Sequence, residues 1–329
     1  MKLINAGSLN YDTTYHVEHI VKPRETIAAE QIETACGGKG LNQSVAAASA
    51  GAAVYHAGLV GEDGEALIQA AKERGVNCAW IRRLSGHQSG IAMILLDRSG
   101  QNSIVVYAGT NHAFDEAYRR EILAEALPGD LLLLQNEIND VPEFAQEAAD
   151  KGVKVVWNPS PFVAEWAERM LPLTDLLFIN EVEGEQMTGE QEPQRILEKL
   201  RSRNCGMEVI LTLGEKGAYF QKGEKRIFQE SFPVAVKDTT AAGDTFTGYY
   251  LAEKMRGKTP EECLETACAA AALAVTKKGA VPSIPKQAEV LAFLKTRKDE
   301  SWSVFENSFL QSARSGIRAA VQEMGHEFT

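Results

Sequence analysis

Basic residues are scarce in this 329-residue chain: 34 Lys plus Arg stand against 45 Asp plus Glu, a formal charge of −11 with His neutral. Such a field repels phosphate backbones, so neither nucleic acid nor an anionic membrane is an expected partner, and any anionic ligand needs local positive potential. Cysteines are few and odd in number: Cys36, Cys78, Cys205, Cys263 and Cys268 show no C-x-x-C spacing. That excludes a disulfide framework and a zinc or thioredoxin-like motif, fits a reducing compartment, and marks them as mostly buried thiols. No apolar run reaches the roughly 18 residues of a membrane span. The stretch from Met1 to Gly7 is too short for the core of a signal peptide, so the expected location is cytoplasmic. Asn42-Gln43-Ser44 matches a glycosylation sequon, a match without meaning in a chain that is not secreted. Internal repeats and low-complexity tracts are absent.

What is present, 44% hydrophobic residues, 24% charged residues, 27 Gly and 11 Pro, belongs to a soluble globular protein of two domains or one large α/β unit. Leu3 to Ala6 reads as a buried strand, and the segment to about Ala35 as exposed hairpins around Pro23. Helical signals follow at Gly40 to Ala50 and Glu62 to Arg74, with a strand at Val54 to Leu59 between them. Ile91 to Leu96 and Ser103 to Tyr107 flank a turn-rich connection and predict a hairpin. Helices at Asp115 to Ala126 and Val141 to Ala149 then alternate with strands at Asp130 to Leu134, Val153 to Trp157 and Leu176 to Ile179. Leu131 to Leu134 is apolar on both faces, as in a parallel sheet covered by helices on both sides. Further strands are predicted near Glu208 to Thr212, Ala218 to Gln221 and Arg226 to Phe228, before long helices over Ala242 to Met255 and Pro260 to Thr276 and another from Lys286 to about Lys295. Beyond the charged run Arg297 to Glu300, the residues Trp302, Phe305, Phe309, Ala313, Ile317 and Val321 form an amphipathic stripe suited to packing on this chain or on a second subunit.

Two segments carry chemistry. In Lys237 to Phe246 small residues lead into a helix whose first turn holds an acid. A helix N-terminus offers free N–H groups and about half a positive charge, Gly243 permits close approach of a phosphoryl group, and Asp244 is placed to accept a hydroxyl proton. The plainer alternative is an acid that supports the helix start. Cys36-Gly37-Gly38-Lys39-Gly40-Leu41-Asn42-Gln43 is glycine-rich but has neither Walker nor G-x-G-x-x-G spacing. Exposed backbone, an ammonium and an amide there suit a polyol; the alternative is a glycine turn ahead of a helix.

These two motifs, in this order, resemble the signatures of the ribokinase-like (PfkB-type) carbohydrate kinases. The resemblance runs from Met1 to about Leu294 and takes in Gly7 to Asp12, Gly90 to Ala92, Asn102 to Val106, Leu134 to Glu137 and Asn158 to Pro161. It implies an α/β fold of three layers, α/β/α, with a mostly parallel central sheet and a small β-sheet lid built from about residues 11–36 and 89–107. Residues 1–297 would form the kinase domain and 298–329 a helical extension. It implies transfer of the γ-phosphoryl of ATP to a primary hydroxyl of a pentose, D-ribose at O5 being the leading expectation. Asp244 would be the base, with the Ala242 and Gly243 N–H groups steadying the transferring charge. Asn10, Asp12, Gly38, Lys39, Gly40, Asn42 and Glu137 would hold the sugar. Asn180 and Glu183 would lie near the phosphates, Glu183 placing Mg2+ through water; as residues alone they read equally as a helix start. Thr212, Leu213, Gly214, Glu215, Lys216 and Gly217 resemble the nucleotide loop, and Cys268 lies near the implied adenine pocket. Asp238 and Thr240, with Ala274, Lys277, Gly279 and Ser283, resemble the enclosure of a monovalent cation, K+. A homodimer through the lid is implied as well, and lid closure would exclude water.

Three residues depart from the pattern: Tyr11 stands between two sugar residues, Arg24 replaces a usual glycine, and Cys268 is unusual at its place. Tyr11 bears on whether ribose is the acceptor. The rival acceptors are a nucleoside, fructose or a keto-deoxy sugar acid. From other classes the rivals are an inactive nucleotide-binding regulator and a Rossmann dehydrogenase, the latter opposed by the lack of G-x-G-x-x-G after the first strand.

Overall fold

The structure is a computed structural model that describes residues 1–297. In chain order its elements are β1 (Leu3–Ala6), β2 (Asn10–Val17), β3 (Gln31–Gly37), α1 (Lys39–Ser49), β4 (Val54–Val60), α2 (Glu65–Glu73), β5 (Asn77–Arg83), β6 (Gly90–Asp97) and β7 (Asn102–Tyr107). Then come α3 (Glu116–Ala124), β8 (Leu131–Gln135), α4 (Val141–Asp150), β9 (Lys154–Asn158), α5 (Ala164–Met170), β10 (Thr174–Asn180), α6 (Glu181–Thr188) and α7 (Pro193–Arg203). The last are β11 (Glu208–Thr212), β12 (Gly217–Lys222), β13 (Lys225–Glu230), α8 (Ala242–Met255) and α9 (Pro260–Ala274). The chain divides after Lys286 into two units, and the described part of the second, residues 287–297, is helical. The expected extension over 298–329, with its apolar stripe from Trp302 to Val321, lies outside the described residues.

Among the described residues, nine strands form one sheet in the order β13-β12-β11-β10-β9-β8-β1-β4-β5, parallel except for the β12 and β13 edge. Helices cover both faces because both faces are apolar. Ile4, Leu132, Leu134 and Trp157 belong to a core that includes Tyr118 of α3, Phe144 of α4 and Leu197 of α7. On the other face lie α1, α8 and α9, which pack against one another. Period-2 alternation sends Asn5, Gln135 and Asn158 toward this second face, all near the C-terminal ends of their strands.

The second sheet has the order β3-β2-β6-β7. It holds one hairpin around Pro23 rather than several: β2 pairs antiparallel with β3 and parallel with β6, which makes a hairpin with β7. Its strands fall in or beside residues 11–36 and 89–107.

Helix α1 reaches α8 through small residues. A Cβ built on Gly248 would lie 2.4 Å from the Ala46 Cβ and 2.6 Å from the Ala47 N, inside any real contact. Gly248→Ala should therefore lower stability by about 1–2 kcal/mol, since overpacking against backbone outweighs the helix propensity gained. A urea midpoint equal to or above the parent's would show that the two helices can separate freely.

Candidate active site

The sugar-loop candidates sit where β3 turns into α1. Gly38 has φ 93°, and a Cβ on Gly40 would lie 2.4 Å from the Ser8 N, so glycine is required for the β1–β2 connection to touch the start of the helix. Glu137 Oε2 accepts from the Lys39 N–H (3.0 Å) and from the Ser8 hydroxyl, whose oxygen accepts from the Gly40 N–H at 3.2 Å. One oxygen of Glu137 thus anchors the α1 N-terminus, where a carboxylate is favoured.

From the lid, Asn10 and Asp12 project to one face of β2. Asn10 Oδ1 accepts from Asn111 Nδ2 at 2.7 Å, which leaves the Asn10 NH2 without a partner among the described residues. Asp12 makes no hydrogen bond there either, and a Cβ on Gly37 would lie 2.0 Å from its Oδ2. Tyr11 points to the opposite face, and its hydroxyl donates to the Asp63 carbonyl at 2.6 Å. The unusual tyrosine therefore ties the lid to the β4–α2 loop and does not share the face of its neighbours. Arg24 stands at φ 70° in the β2–β3 connection, a conformation that suits the glycine it replaces.

At the start of α8, Ala241 adopts a left-handed conformation (φ 58°) and no side chain caps the helix. The Ala242 N–H is taken by the Thr239 carbonyl at 3.2 Å, so of the two N–H groups expected to meet a phosphoryl group only that of Gly243 is open, joined by that of Asp244. Gly243 is exposed, and a Cβ there would meet nothing within 4 Å. Asp244 is 9% exposed and does not cap the helix. Its Oδ2 accepts from Asn42 Nδ2 at 3.0 Å and its Oδ1 from Gln43 Nε2 at 2.9 Å, which bridges it to α1. Asn42 Oδ1 is buried without a partner.

These segments gather carboxylates around one ammonium. Burial would lower the half-buried Lys39, but Asp244, then Glu137, Glu183 and Asp12 together hold it above its ordinary value. Burial, with the Glu137 and Asp244 charges behind it, pushes Asp12 from 3.8 up to about 7. Glu137 and Glu183 are also raised, chiefly by burial.

Asn180 and Glu183 form a reciprocal capping box on α6, Asn180 Oδ1 accepting from the Glu183 N–H (2.8 Å) and Glu183 Oε2 from the Asn180 N–H (3.0 Å). The helix-start reading thus holds for the pair, while Glu183 remains within electrostatic reach of Lys39. Thr212 to Gly217 forms the turn between β11 and β12, closed by the Leu213 N–H donating to the Gly217 carbonyl at 2.8 Å. Glu215 and Lys216 lie in its short helical turn, and Gly214 and Gly217 have φ 54° and 128°. Cys268 is 5% exposed in α9, its thiol pushed up to about 12 by burial.

Of the cation-loop candidates, Thr240 and Gly279 are held by Asp238. Its Oδ1 accepts from the Thr240 N–H (2.9 Å) and hydroxyl (2.6 Å), and its Oδ2 accepts from the Gly279 N–H at 2.8 Å. The Thr240 hydroxyl in particular holds Asp238 below the usual carboxylate range, against its burial. The Lys277 N–H donates to the Ala274 carbonyl at 3.0 Å, and the buried Ser283 hydroxyl to the Ala280 carbonyl at 2.8 Å. Residues that sequence reasoning gave no role are Ser8, Asn111, Gln135, Asn158 and Gln43. All but Asn111 lie within the matched strings, which was the available signal.

A three-layer α/β fold with a buried carboxylate beside an open helix N-terminus, under a small β-sheet, is the architecture of a sugar-phosphorylating enzyme. The chain belongs to the pfkB family of carbohydrate kinases, whose profile matches residues 2–287. It is 39% identical to the ribokinase of Haemophilus influenzae over 297 residues, 88% of this chain and 96% of that relative. The structure of Arabidopsis thaliana ribokinase complexed with ribose and ATP superposes with a TM-score of 0.79 at 34% identity, covering 89% of this chain and 98% of that one. The ribokinase of Thermotoga maritima gives 0.79 at 33% identity, with 90% and 99% covered.

The raised Asp12 carries a stability signature. Its folded value lies above its unfolded one, so its contribution is fully present below about pH 4 and is lost as pH rises through about 7. Above that, ionised Asp12 costs up to about 4 kcal/mol. Asp12→Asn should melt at a higher temperature than the parent near pH 8, with the gain shrinking toward pH 5; a lower melting temperature near pH 8 would contradict this account of the site.

Proposed function

We propose that this kinase transfers the γ-phosphoryl group of ATP to O5 of D-ribose, with Asp244 as general base. One observation carries the reading: a buried carboxylate, held by two amide donors, adjoins the Gly243 and Asp244 N–H groups and the open space around Gly243. Phosphoryl transfer needs positioning and charge stabilisation more than covalent chemistry, and those N–H groups supply the stabilisation. Asn10, Asp12, Gly38, Lys39, Gly40, Asn42 and Glu137 hold the sugar hydroxyls. The unpartnered Asp12 carboxylate, Asn10 NH2 and Asn42 Oδ1 are the polar groups a polyol satisfies. Such pairing discriminates strongly, because a substrate lacking one hydroxyl leaves its partner bare. Ribose is favoured over the other acceptors by the named relatives, and Tyr11, facing away, no longer opposes it.

The nucleotide lies along Thr212 to Gly217, with Asn180 and Glu183 near its phosphates and Cys268 near its base. The acidic basin around Lys39 fits a cation: Asp12, Glu137, Asp244 and Glu183 would repel a triphosphate unless positive charge accompanied it. Mg2+ placed by Glu183 through water would neutralise phosphate charge. The Asp238 loop, tied to the Gly279 turn and rich in backbone carbonyls, suits K+, with Asp238, Thr240, Ala274, Lys277, Gly279 and Ser283 around it. Residues 1–297 act as the kinase domain, in the cytoplasm. The lid supports a homodimer, for β7 is an edge strand whose residues are all exposed, including Ile104, Val105, Val106 and Tyr107, and it carries no charge to deter pairing.

Purified protein should release ADP from Mg-ATP in a ribose-dependent, K+-stimulated manner. Asp244→Asn should lose a factor of about 100 to 10,000 in turnover while still binding ATP. Gly243→Ala should keep its melting temperature yet turn over slowly, because the added methyl meets ligand and not protein. Near-normal turnover by Asp244→Asn would refute the base, and ATP binding without turnover on any sugar would favour the regulatory reading. In light scattering after size exclusion, Ile104→Lys combined with Val106→Lys should halve the mass of the parent; an unchanged mass would place the interface elsewhere.

A further inference from the structure

Gln43 is wholly buried in α1, yet it is the hub of a polar row that the reaction as described does not use. Its Nε2 donates to Asp244 Oδ1 and to Asn158 Oδ1, both at 2.9 Å, and its Oε1 accepts from Gln135 Nε2 at 2.7 Å. Gln135 Nε2 also donates to Asn5 Oδ1 at 2.9 Å, and Asn5 Nδ2 donates to the Gly40 carbonyl (2.7 Å) and the Ser44 hydroxyl oxygen (2.8 Å). Ser44 meets His56 Nδ1 at 2.8 Å. Asn5, Gln43, Ser44, His56 and Gln135 are all 0% exposed.

An amide is ambiguous in orientation, but this row is not. The Gly40 carbonyl can only accept, so it must face the Asn5 NH2 and turns Asn5 Oδ1 toward Gln135. Gln135 must then present its NH2, Gln43 its oxygen to Gln135, and the Gln43 NH2 is left to face the carboxylate. At the other end the Ser44 hydroxyl accepts from Asn5 and shares a hydrogen bond with His56 Nδ1, and burial pushes the His56 pKa down to about 4.

We infer that Gln43 is a positioning residue for Asp244, its orientation set by the buried amide row Asn5–Gln135–Gln43 that starts at the Gly40 carbonyl. This rests on Asp244 being the base. Each Asp244 oxygen has one acceptor site filled by an amide, Asn42 on one and Gln43 on the other, so the carboxylate plane is fixed from two sides while lone pairs remain for the sugar hydroxyl. A small loss of such alignment costs roughly 100-fold in rate.

The test compares the parent with Gln43→Met, Gln43→Glu and Gln135→Met in steady-state assays over pH, with Asp244→Asn alongside. Gln43→Met should lose about 10- to 100-fold in kcat with little change in the KM for ribose or ATP. Gln43→Glu places a second carboxyl against Asp244, so the acidic limb of its kcat profile should move up by more than about one pH unit. Gln135→Met touches neither Asp244 nor substrate; it should lower kcat as well, and lose little more when combined with Gln43→Met, because the two act through one row. Gln43→Met with parental kcat, or a Gln43→Glu profile whose acidic limb stays in place, overturns the inference. So does a loss in kcat that merely follows the fraction unfolded, read from circular dichroism at the assay temperature. If instead Asp244→Asn turns over normally, the base assignment has failed, and the two failures are told apart.

Discussion

A carboxylate at the start of α8 is gripped by amides 201 and 202 residues away in sequence, and the site is organised around that grip. Asn42 and Gln43 reach Asp244 only because α1 and α8 touch at Gly248, where no side chain fits. The same placement sets the N-terminus of α1, with Lys39 and the glycine-rich loop before it, beside the open N-terminus of α8. Two helix starts therefore converge on one space: α8 offers the open Gly243 and Asp244 N–H groups, while the first N–H groups of α1 are taken by Glu137 and Ser8. In a chain of formal charge −11 the open α8 N-terminus and Lys39 are the local positive groups there, set among the carboxylates of Asp12, Glu137, Glu183 and Asp244.

The carboxylates near Lys39 set a cost against that arrangement. Asp12 has no hydrogen-bond partner among the described residues, faces the charges of Glu137 and Asp244, and is pushed up to about 7. Glu137 is better served, with the Ser8 hydroxyl and the Lys39 N–H on one oxygen, but burial still raises it. A folded protein tolerates such groups when a ligand completes them. Hydroxyl donors from a sugar would favour the ionised Asp12, so ligand binding and proton release at this residue are linked, and the lid strand that carries it gains a reason to settle over the sugar only when sugar is there.

Much of the fold was legible because buried parallel strands and amphipathic helices announce themselves. Leu131 to Leu134 and the two long helices near the end stand within a residue or two of the observed β8, α8 and α9. Elements β5, α5 and α7 were passed over. The α7 signal was present, with Pro193 in its first turn and Ile196, Leu197 and Leu200 on one face, whereas β5, with Asn77, Arg82 and Arg83, lacks clean alternation. At the site, glycine-rich strings marked loops that the structure brings near Asp244, but not what holds Asp244. Gln43 was read as part of a motif, and Gln135 and Asn158 as parts of matching strings. Their meeting depends on strand register across β8 and β9, which no local pattern encodes. The Tyr11 departure could not be judged from sequence either, because its meaning lies in which face of β2 it occupies.

Register also explains why a chain with apolar strands keeps a polar row inside it. Asn5 lies opposite His56 across β1 and β4, and Gln135 opposite Asn158 across β8 and β9. Asn5, Gln135 and Asn158 lie at or near the C-terminal ends of their strands on the α1 and α8 side, the end at which ligands bind open α/β sheets, while His56 sits lower in β4. Apolar residues there would pack as well, since burying polar groups gains little net stability even when every bond is made. What they would not supply is direction. A row of amides read from a backbone carbonyl has one orientation, and it delivers an N–H, not a C=O, to the Asp244 carboxylate. The sheet thus contributes to the site through the sense of its hydrogen bonds as much as through its shape.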